Sequence, residues 1–518
     1  MQQRHTAPQS HPDPRRQRHH TETVASQHVA SGNEAEYRID LERLRFSPFF
    51  GRLAAVTQVV PQSGVGPVMH NRLTHTLKVS AVARVIASRL RAEQASHERF
   101  LAGKSDTDSE TGRIITALGG CDTIVSQAAA HAHDLGHPPF GHIGERVLDH
   151  LARTCLGLAE GFEGNAQTFR IITELDTLGR PFGGLNLTAA VRASVLKYPW
   201  LRSDWSAQTL AELPLAERPR GVGDTGFGAQ KFSIYELQQE EAEEALAAFP
   251  GIAQHHQTVD CAIMDIADDI AYAVHDLDDF TRAGVLQYAP VSAELRGWLN
   301  GSGQESGHAS APGSALETLW RSLREKDSWI ADRDAFQEAV VRVNAELVDG
   351  LLARPYDGSI DAERAVSSFT RKWIERLRDS VEVREHPAIR GGHVQLGVRA
   401  WHEVAVLKFV HSHFVLRGPD LVLEQRGNQK LIADLVLAFD EWLADPIDAK
   451  QAPIRLREDI EEVTQQLVDL RRRTGRAAAS AADVKRAGRS RAILDYVSAL
   501  TDQQAVVAHA QLTRGFRF

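Results

Sequence analysis

The sequence predicts an all-α protein, and two observations support that fold class. Almost every long periodic segment repeats its apolar residues at the spacing of one helix face. Strand-like stretches are few, and residues 55–60 (AVTQVV) form the best of them. We therefore expect helices to build the core and extended structure to contribute little.

The predicted helices follow one another with recognisable ends. Residues 72–92 place most of their leucine, valine and isoleucine side chains on one side of a helix. Residues 121–135 are apolar and rich in alanine, and the helix is expected to end at Gly136 and Pro138. Further helices are predicted at 141–154, 164–175, 187–197, 234–247, the aspartate-rich 257–283, 316–325, 333–352, 361–380, 399–412 and 428–443.

Composition divides the chain into four parts. Residues 1–30 are rich in His, Arg, Gln and Ser, so we expect a disordered, solvated tail. Residues 31–300 carry the motifs that suggest chemistry, and residues 301–315, rich in Gly and Ser, indicate a flexible linker. The helical remainder, 316–518, is expected to pack on the motif-rich part. Within it, the basic, alanine-rich stretch 471–491 fits either a mobile excursion or an exposed helix.

The overall composition is that of a globular protein, with 42% hydrophobic and 25% charged residues in a chain of 518. A formal net charge of −9 excludes a generally basic nucleic-acid coat, so an anionic substrate must be met by a local metal or basic pocket. The apolar runs are too short to cross a bilayer, and the N-terminal segment lacks the apolar region of a secretory signal. Cys121, Cys155 and Cys261 suggest no disulfide framework, so we expect buried thiols and a cytoplasmic location.

Three separate segments supply side chains of the kinds that bind metals. His75 lies near the start of one predicted helix, His133 and Asp134 at the end of another, and Asp268 inside the aspartate-rich helix. Adjacent His and Asp lie about 100° apart on a helix, close enough to reach one ion. Two imidazoles and two carboxylates suit Mn²⁺, Fe²⁺, Zn²⁺ or Mg²⁺ and leave positions open for water and phosphate.

The aspartate-rich helix carries a second pattern. Asp268, Tyr272 and Asp276 are spaced four residues apart, so they share one face. A metal ligand then stands in line with an aromatic ring and a second carboxylate, which suits the binding of a nucleoside beside the ion. A single His-Asp pair or acidic helix face is most often a capping or solvated feature, whereas the combination of all these segments points to chemistry.

Ordered sequence blocks make a family resemblance specific. The chain resembles the deoxyguanosine-triphosphate triphosphohydrolases of the HD superfamily, which implies an HD-domain helical bundle with an additional C-terminal helical region. LKFVHSHFVLRGPDL (407–421) extends the resemblance more weakly. The blocks that carry it are YRIDLERLRFSPFFGRLAAVTQV (37–59), HNRLTH (70–75), HDLGHPPFGHIGE (133–145), GFEGNAQTFRI (161–171), LNLTAAVRASVLKYP (185–199) and ADDIAYAVHDLDD (267–279).

The resemblance implies a reaction and assigns roles to residues. A metal on the four ligands above would serve the attack of water on the α-phosphorus of a dNTP, releasing deoxynucleoside and inorganic triphosphate. His142 would act as acid and base near the 5′ oxygen, with Glu145 orienting it. His137 would contact phosphate, and Arg72 would clamp the α-phosphate. A cation and an arginine stabilise charge that builds on phosphate oxygens, and a carboxylate-bound imidazole suits proton transfer near neutral pH.

The resemblance also implies how the substrate is recognised. Gln58, Tyr272 and Asp276 would bind the sugar, because a ring beneath the 2′ carbon leaves no room for a 2′-hydroxyl and a carboxylate accepts the 3′-hydroxyl. Lys197 and Lys231 are candidates for the remaining triphosphate charge, and an ordinary surface position is the alternative for both.

Two further functions stay open at the level of sequence. One is an HD-type nucleotidase or phosphodiesterase with the same metal site. The other is a non-enzymatic, nucleotide-binding oligomer that contacts a partner or single-stranded nucleic acid, supported only by the basic stretch 471–491. The family resemblance further implies a homo-oligomer, and a nucleotide activator is a possible additional ligand.

Overall fold

A computed structural model describes residues 13–22, 35–58, 70–223, 229–302, 314–416, 419–475 and 480–513. Within these ranges the chain forms twenty α-helices and one two-stranded antiparallel sheet, so the all-α prediction is confirmed. The helices are α1 (Ala35–Phe46), α2 (Pro48–Arg52), α3 (Arg72–Leu101), α4 (Glu110–Ala117), α5 (Thr123–Ala132), α6 (His142–Thr154), α7 (Gly164–Arg170), α8 (Ala189–Ser194), α9 (Ala207–Glu212), α10 (Gln239–Ala247), α11 (Val259–Arg282), α12 (Tyr288–Ser302), α13 (Ala315–Lys326), α14 (Arg333–Val343), α15 (Ile360–Asp379), α16 (Val398–Phe414), α17 (Pro419–Ala444), α18 (Ile454–Thr474), α19 (Ala481–Ser498) and α20 (Asp502–Thr513).

The strand prediction at residues 55–60 is wrong for the part that the structure describes. Leu53–Ala55 form a single 3₁₀ turn, and Thr57 makes only an isolated antiparallel bridge to Asn71. Leu53 is buried in the helical core. Its neighbours therefore adopt the conformation that helix packing requires and do not pair as a β-strand. The strands that do form are β1 (Val381–Val383) and β2 (Val394–Leu396), three residues each.

The described residues form three hydrophobic clusters, and the two larger ones position the helices. The larger core surrounds α3, α5 and α11 and also receives side chains from α12, α14, α15 and α16, including Trp298, Phe336 and Trp373. Side chains from both sides of the predicted linker therefore share one core, although residues 303–313 of that linker lie outside the described ranges. The second core joins α6 to helices α17 to α20. The C-terminal helices thereby reach the helix that begins at His142.

Part of the predicted N-terminal tail lies against the body of the protein. The Arg18 guanidinium donates to the Asp40 carboxylate at 2.6 Å, and Arg18 also forms an antiparallel bridge with Thr188 of the segment before α8. The expectation of a solvated tail is therefore wrong for residues 13–22, because an arginine with buried partners anchors them. Residues 1–12 and 23–30 lie outside the described part of the chain.

The basic stretch at 471–491 forms the end of α18 and the first part of α19, which pack against each other. Most of its described residues are exposed on these helices, as the exposed-helix alternative expects, but its last residue is not. Arg491 is buried, donates to the Glu160 carboxylate at 2.8 Å and lies 4.0 Å from the centre of the Tyr235 ring. Residues 476–479 lie outside the described ranges.

Two further expectations concern cysteines and membranes. Cys121 and Cys261 are buried as expected, whereas Cys155 is exposed at the end of α6, which corrects the expectation of three buried thiols. Among the helices of the described ranges, none combines the length and the apolar character that crossing a bilayer requires.

Asp260 gives a prediction about the pH dependence of stability. Only 4% of Asp260 is exposed, and its carboxyl accepts hydrogen bonds from the Asp122 backbone and the Ser126 hydroxyl. Burial raises the pKa of Asp260 to about 7, and the neighbouring Asp122 carboxylate adds to that shift. The folded state therefore holds a proton that the unfolded chain loses near pH 4. The stability contribution is full below that pH and is lost as the pH rises towards 7.

Asp260→Asn should remove this loss, because the amide oxygen still accepts hydrogen bonds and carries no charge. The free energy of unfolding of the wild type should fall relative to the variant by on the order of 2 to 4 kcal/mol between pH 4 and 8. Urea unfolding at a series of pH values measures the difference, and Asp469→Asn, on the exposed surface of α18, serves as the control. Parallel pH curves for wild type and Asp260→Asn would contradict the expectation.

Candidate metal centre and active site

Three helices bring the predicted metal ligands to one place. His75 lies in the first turn of α3, which begins at a capping box where the Asn71 side chain accepts from the Thr74 backbone at 2.9 Å. His133 and Asp134 follow directly after the last residue of α5, and Asp268 lies near the middle of α11. The cap fixes the direction in which α3 starts, and the packing of α3 and α5 on α11 positions the side chains.

The distances between these side chains fit one coordination sphere. The Nε2 atom of His75 lies 3.1 Å from Oδ1 of Asp268, and Nε2 of His133 lies 3.7 Å from the same oxygen. The Oδ1 atom of Asp134 lies 3.6 Å from Nε2 of His133. Donor atoms of His75, His133 and Asp268 all lie within 4.8 Å of one another, as ligands of a single ion must.

The hydrogen bonds of this group leave acceptor atoms facing one another. Nδ1 of His133 lies 2.6 Å from the Ala130 carbonyl oxygen and donates to it, so the lone pair of Nε2 points into the cluster. Nε2 of His133 and Oδ2 of Asp134 are both buried, and neither has a hydrogen-bond partner in the part of the chain that the structure describes. Buried acceptors without partners are costly, and a divalent cation would satisfy both. The residues present therefore fit a metal of the Mn²⁺, Mg²⁺, Fe²⁺ or Zn²⁺ type.

Arg72 lies beside the carboxylate of Asp134, at 2.9 Å between Nη1 and Oδ1. Burial opposes ionisation of Asp134, but the charge of Arg72 and the hydrogen bond from His137 hold its pKa well below the usual value. Within the described ranges, the Nε and Nη2 atoms of Arg72 are buried with no hydrogen-bond partner. Gly141, at φ +59°, permits this arrangement, because a Cβ there would lie 2.7 Å from Nη2 of Arg72. Two guanidinium donors thus remain available next to the metal ligands.

Lys197 is not the surface lysine that the sequence left open. Its ammonium contacts Oδ1 of Asp265 at 2.7 Å and Oδ2 of Asp268 at 3.0 Å. Burial alone would lower its pKa, but the two carboxylates raise it well above the usual value. Lys197 therefore holds a proposed metal ligand in its ionised form.

A second cluster contains the residues predicted to transfer protons. Nδ1 of His142 lies 2.8 Å from Oε2 of Glu145, and the imidazole is 58% exposed. The ammonium of Lys231 lies 2.5 Å from Glu145 and 2.8 Å from Glu163. Burial would raise the pKa of Glu145, but Lys231 and the His142 hydrogen bond hold it well below the usual value. Donor atoms of His137, His142 and Glu145 also converge, yet the adjacent ammonium makes a second cation unfavourable there.

His137 connects the two clusters. Its Nδ1 lies 3.0 Å from Oδ1 of Asp134, and its ring centre lies 5.2 Å from that of His142. Burial and the nearby Arg72 charge lower the pKa of His137 to about 4, so its imidazole is neutral at physiological pH. A cavity of about 590 Å³ opens beside this second cluster and is lined by His142, Glu145, Arg146, Asp149, Arg202 and Lys231, among others.

The predicted sugar-binding residues lie on two sides of the metal cluster. Tyr272 and Asp276 follow Asp268 along α11, and burial raises the pKa of Asp276 to about 8. Gln58 follows Thr57, which pairs with Asn71 immediately before α3, so it lies near Arg72. Oε1 of Gln58 is buried and has no hydrogen-bond partner among the residues described, which exclude 59–69.

Asp502, in the first turn of α20, ties together two loops of the site. Its carboxylate accepts from the Thr57 backbone at 2.9 Å and from the Phe140 backbone at 2.8 Å. Thr57 precedes Gln58, and Phe140 leads into His142. A residue near the end of the described chain thus orients two segments that sequence reasoning assigned to the substrate site.

Several residues at the site escaped the sequence analysis. Glu163 caps α7 and binds Lys231, although the sequence block that contains it, GFEGNAQTFRI, indicated no role for it. Lys408 and Arg220 both contact Asp269, at 2.6 and 2.9 Å. His411 packs against the Tyr272 ring at 5.0 Å between centres. Lys408 and His411 are three residues apart in LKFVHSHFV, so they share one face of a helix. Two polar residues on one face of an otherwise apolar segment could have indicated a site.

Comparison with known protein families identifies the class. The model of the HD domain matches residues 72–178, which begin at Arg72 and include His75, His133 and Asp134. The helical fold and the converging histidines and aspartates thus define an HD-domain protein.

Similarity to individual proteins extends over most of the chain. A deoxyguanosinetriphosphate triphosphohydrolase-like protein of Shewanella loihica is 27% identical, with 93% of this chain and 93% of the relative covered. A protein of the same description from Bifidobacterium longum is 29% identical, with 93% and 84% covered. The chain thus carries an HD domain and is similar, over most of its length, to deoxyguanosinetriphosphate triphosphohydrolase-like proteins.

Proposed function

We propose that the protein is a metal-dependent phosphohydrolase that converts dGTP, or dNTPs more generally, into deoxynucleoside and inorganic triphosphate. The observation that carries this proposal is the convergence of His75, His133, Asp134 and Asp268 beside a buried arginine with unpartnered donors. The similarity to deoxyguanosinetriphosphate triphosphohydrolase-like proteins supports the same substrate class.

The proposed metal site consists of the four ligands named above. A divalent cation held there would polarise the α-phosphate and lower the pKa of a bound water. Arg72 donates its Nε and Nη2 hydrogens to oxygens of the same phosphate, where negative charge increases during the attack. Neutral His137 contacts the phosphate without adding a competing positive charge.

His142 and Glu145 form the proposed proton-transfer pair. Glu145 accepts a hydrogen bond from Nδ1 of His142, which leaves Nε2 to deliver a proton to the 5′ oxygen of the departing nucleoside. Lys231 keeps Glu145 ionised, so the carboxylate stabilises the imidazolium form of His142 from which that proton is delivered. Lys197 and Lys231 would then act on the triphosphate mainly through their positive charge, because both ammonium groups already contact carboxylates.

Gln58, Tyr272 and Asp276 are the proposed sugar-binding residues. Tyr272→Ala should relax discrimination against ribonucleotides by roughly 10- to 100-fold, because a ring no longer fills the space beneath the 2′ carbon. The measurement is kcat/KM for dGTP and for GTP in wild type and variant. Tyr272→Phe, which keeps the ring, should retain the preference for dGTP. A preference unchanged in Tyr272→Ala would contradict this role.

The proposed reaction is tested by identifying its products. Purified protein is incubated with Mn²⁺ or Mg²⁺ and each dNTP, singly and pooled, and the products are separated by ion-exchange chromatography. We expect inorganic triphosphate and deoxynucleoside in equal amounts. Orthophosphate or pyrophosphate as the sole inorganic product would refute the proposal and favour a nucleotidase. Turnover of only the pooled mixture would support a nucleotide activator.

A further inference from the structure

His411 of α16 is a buried histidine on the substrate-facing side of α11. It is 1% exposed, and its ring centre lies 5.0 Å from that of Tyr272 and 5.0 Å from that of Phe280, against which it stacks. Its Nδ1 atom lies 3.5 Å from Oδ2 of Asp276. One side chain thus touches both residues that the proposed function assigns to the sugar.

The ring nitrogens of His411 form no hydrogen bonds with the described part of the protein. Both ring nitrogens are buried without a hydrogen-bond partner among the described residues, and so is Oδ2 of Asp276. An all-carbon ring would pack between Tyr272 and Phe280 equally well and would not carry the cost of buried, unpaired nitrogens. Retaining a histidine there therefore calls for a function outside ordinary packing.

A second buried histidine of α16 shows what a purely structural role looks like. Nδ1 of His402 lies 2.7 Å from the Val398 carbonyl oxygen, to which it donates. Its Nε2 accepts from the Asp332 backbone at 3.1 Å. His402 therefore has both nitrogens satisfied by the chain, whereas His411, on the same helix and equally buried, has neither.

The position of α16 supports a role at the substrate. Lys408, one turn before His411, donates to Asp269 at 2.6 Å and lies 5.8 Å from the centre of the Tyr272 ring. Because Asp269 adjoins the proposed ligand Asp268, α16 lies along the length of the substrate-facing part of α11. Tyr272 therefore lies near both Lys408 and His411 of this helix.

We propose that His411 is a positioning residue for a deoxyribonucleotide with a free 3′-hydroxyl: it fixes the Tyr272 ring and turns the Asp276 carboxyl towards that hydroxyl. The inference rests on the proposed function, since Tyr272 and Asp276 are sugar-binding residues only in that context. When nucleotide fills the pocket, a shift of a few tenths of an ångström brings Nδ1 of His411 within hydrogen-bond distance of Asp276. The other oxygen of Asp276 then faces the sugar.

The test compares dGTP with 2′,3′-dideoxyGTP, which lacks only the 3′-hydroxyl. Binding to the full-length protein is measured by titration calorimetry in EDTA and again with Ca²⁺. We expect wild type to bind dGTP more tightly by about tenfold, since a site built for a hydroxyl rejects the analogue without it. In His411→Phe, which keeps the ring, this ratio should fall to within about twofold. With Mn²⁺, the variant should show a raised KM for dGTP and a kcat close to that of wild type.

Two further variants make the test decisive. His413→Phe, on the same helix but stacked on Phe409, should keep the wild-type ratio. His411→Gln, which retains hydrogen-bonding groups, should recover part of the ratio lost in His411→Phe. The melting temperature of His411→Phe should equal or exceed that of wild type, because two unpaired nitrogens are removed.

The outcomes separate this inference from the proposed function. An unchanged ratio in His411→Phe, or equal binding of the two nucleotides by wild type, would overturn the inference even if triphosphate is released. A fall of more than about 10 °C in the melting temperature of both His411 variants would make the residue structural and overturn it as well. If wild type binds dGTP preferentially but releases no triphosphate, the proposed reaction fails, and the ratio in His411→Phe still decides the inference.

Discussion

Replacing His133 with glutamine is expected to abolish metal binding and nucleotide hydrolysis together. Nε2 of His133 faces both Asp134 and Asp268, at 3.6 and 3.7 Å, and its orientation is set by the hydrogen bond to Ala130. Glutamine keeps a polar group in the space but cannot direct a ring nitrogen at the ion. Loss of an outer partner of a metal ligand costs 10- to 100-fold in other metal sites, so loss of the ligand itself should cost at least about 100-fold. Mn²⁺ binding by equilibrium dialysis and triphosphate release from dGTP are the two measurements.

His131→Gln is the matched control, because His131 is two residues away and equally buried. Its Nδ1 donates to the Gln127 carbonyl oxygen at 2.7 Å, and its ring packs against Phe50, away from the cluster. We expect this variant to bind Mn²⁺ and to hydrolyse dGTP at close to the wild-type rate. Equal losses in the two variants would indicate damage to α5 rather than loss of a ligand. Full activity in His133→Gln would exclude the proposed metal site.

Asp495→Ala is expected to destabilise the folded protein by about 3 to 5 kcal/mol. The Asp495 carboxylate of α19 accepts from Nε of Arg170 at 2.9 Å and from Gln167 at 3.0 Å, both on α7. The side chains of Arg170 and Asp495 are 1% and 2% exposed. Removing the carboxylate leaves the guanidinium buried without a compensating charge, and that desolvation accounts for the large loss. Denaturant unfolding followed by circular dichroism gives the free energy of unfolding.

Lys430→Ala provides the comparison with an exposed ion pair. Lys430 contacts Asp434 within α17, and its side chain is 76% exposed. We expect a change within about 0.5 kcal/mol, since solvent screens such a pair. If Asp495→Ala shows a similarly small change, the junction between α7 and α19 does not contribute to stability as the buried geometry indicates.

The sequence predicted the elements whose determinants are local. The spacing of apolar residues located α3, α5 and α11, and the stop at Gly136 and Pro138 located the end of α5. The four proposed metal ligands could be chosen from residue type and family resemblance, and their side chains do meet. Periodicity could not have paired His75 with Asp268, which are 193 residues apart.

What the sequence missed depends on partners distant in the chain. The ordering of residues 13–22 comes from Asp40 and Thr188, and the burial of Arg491 comes from Glu160 and Tyr235. No local pattern distinguishes such a residue from an exposed one. The same reason explains why Lys197 looked like a surface lysine and why His411 remained unassigned. The homo-oligomer, the nucleotide activator and binding of single-stranded nucleic acid stay predictions.

The hydrogen bonds of Asp502 bear on biosynthesis. Because its carboxylate orients the loops at Thr57 and Phe140, the site cannot reach its final geometry until α20 has been translated and has docked. The ribosome synthesises the HD segment long before α20. The loops at Thr57 and Phe140 therefore lack their hydrogen bonds to Asp502 until the end of synthesis. A nascent or proteolytically shortened chain that lacks α20 should therefore retain most of its helices but lack full catalytic activity.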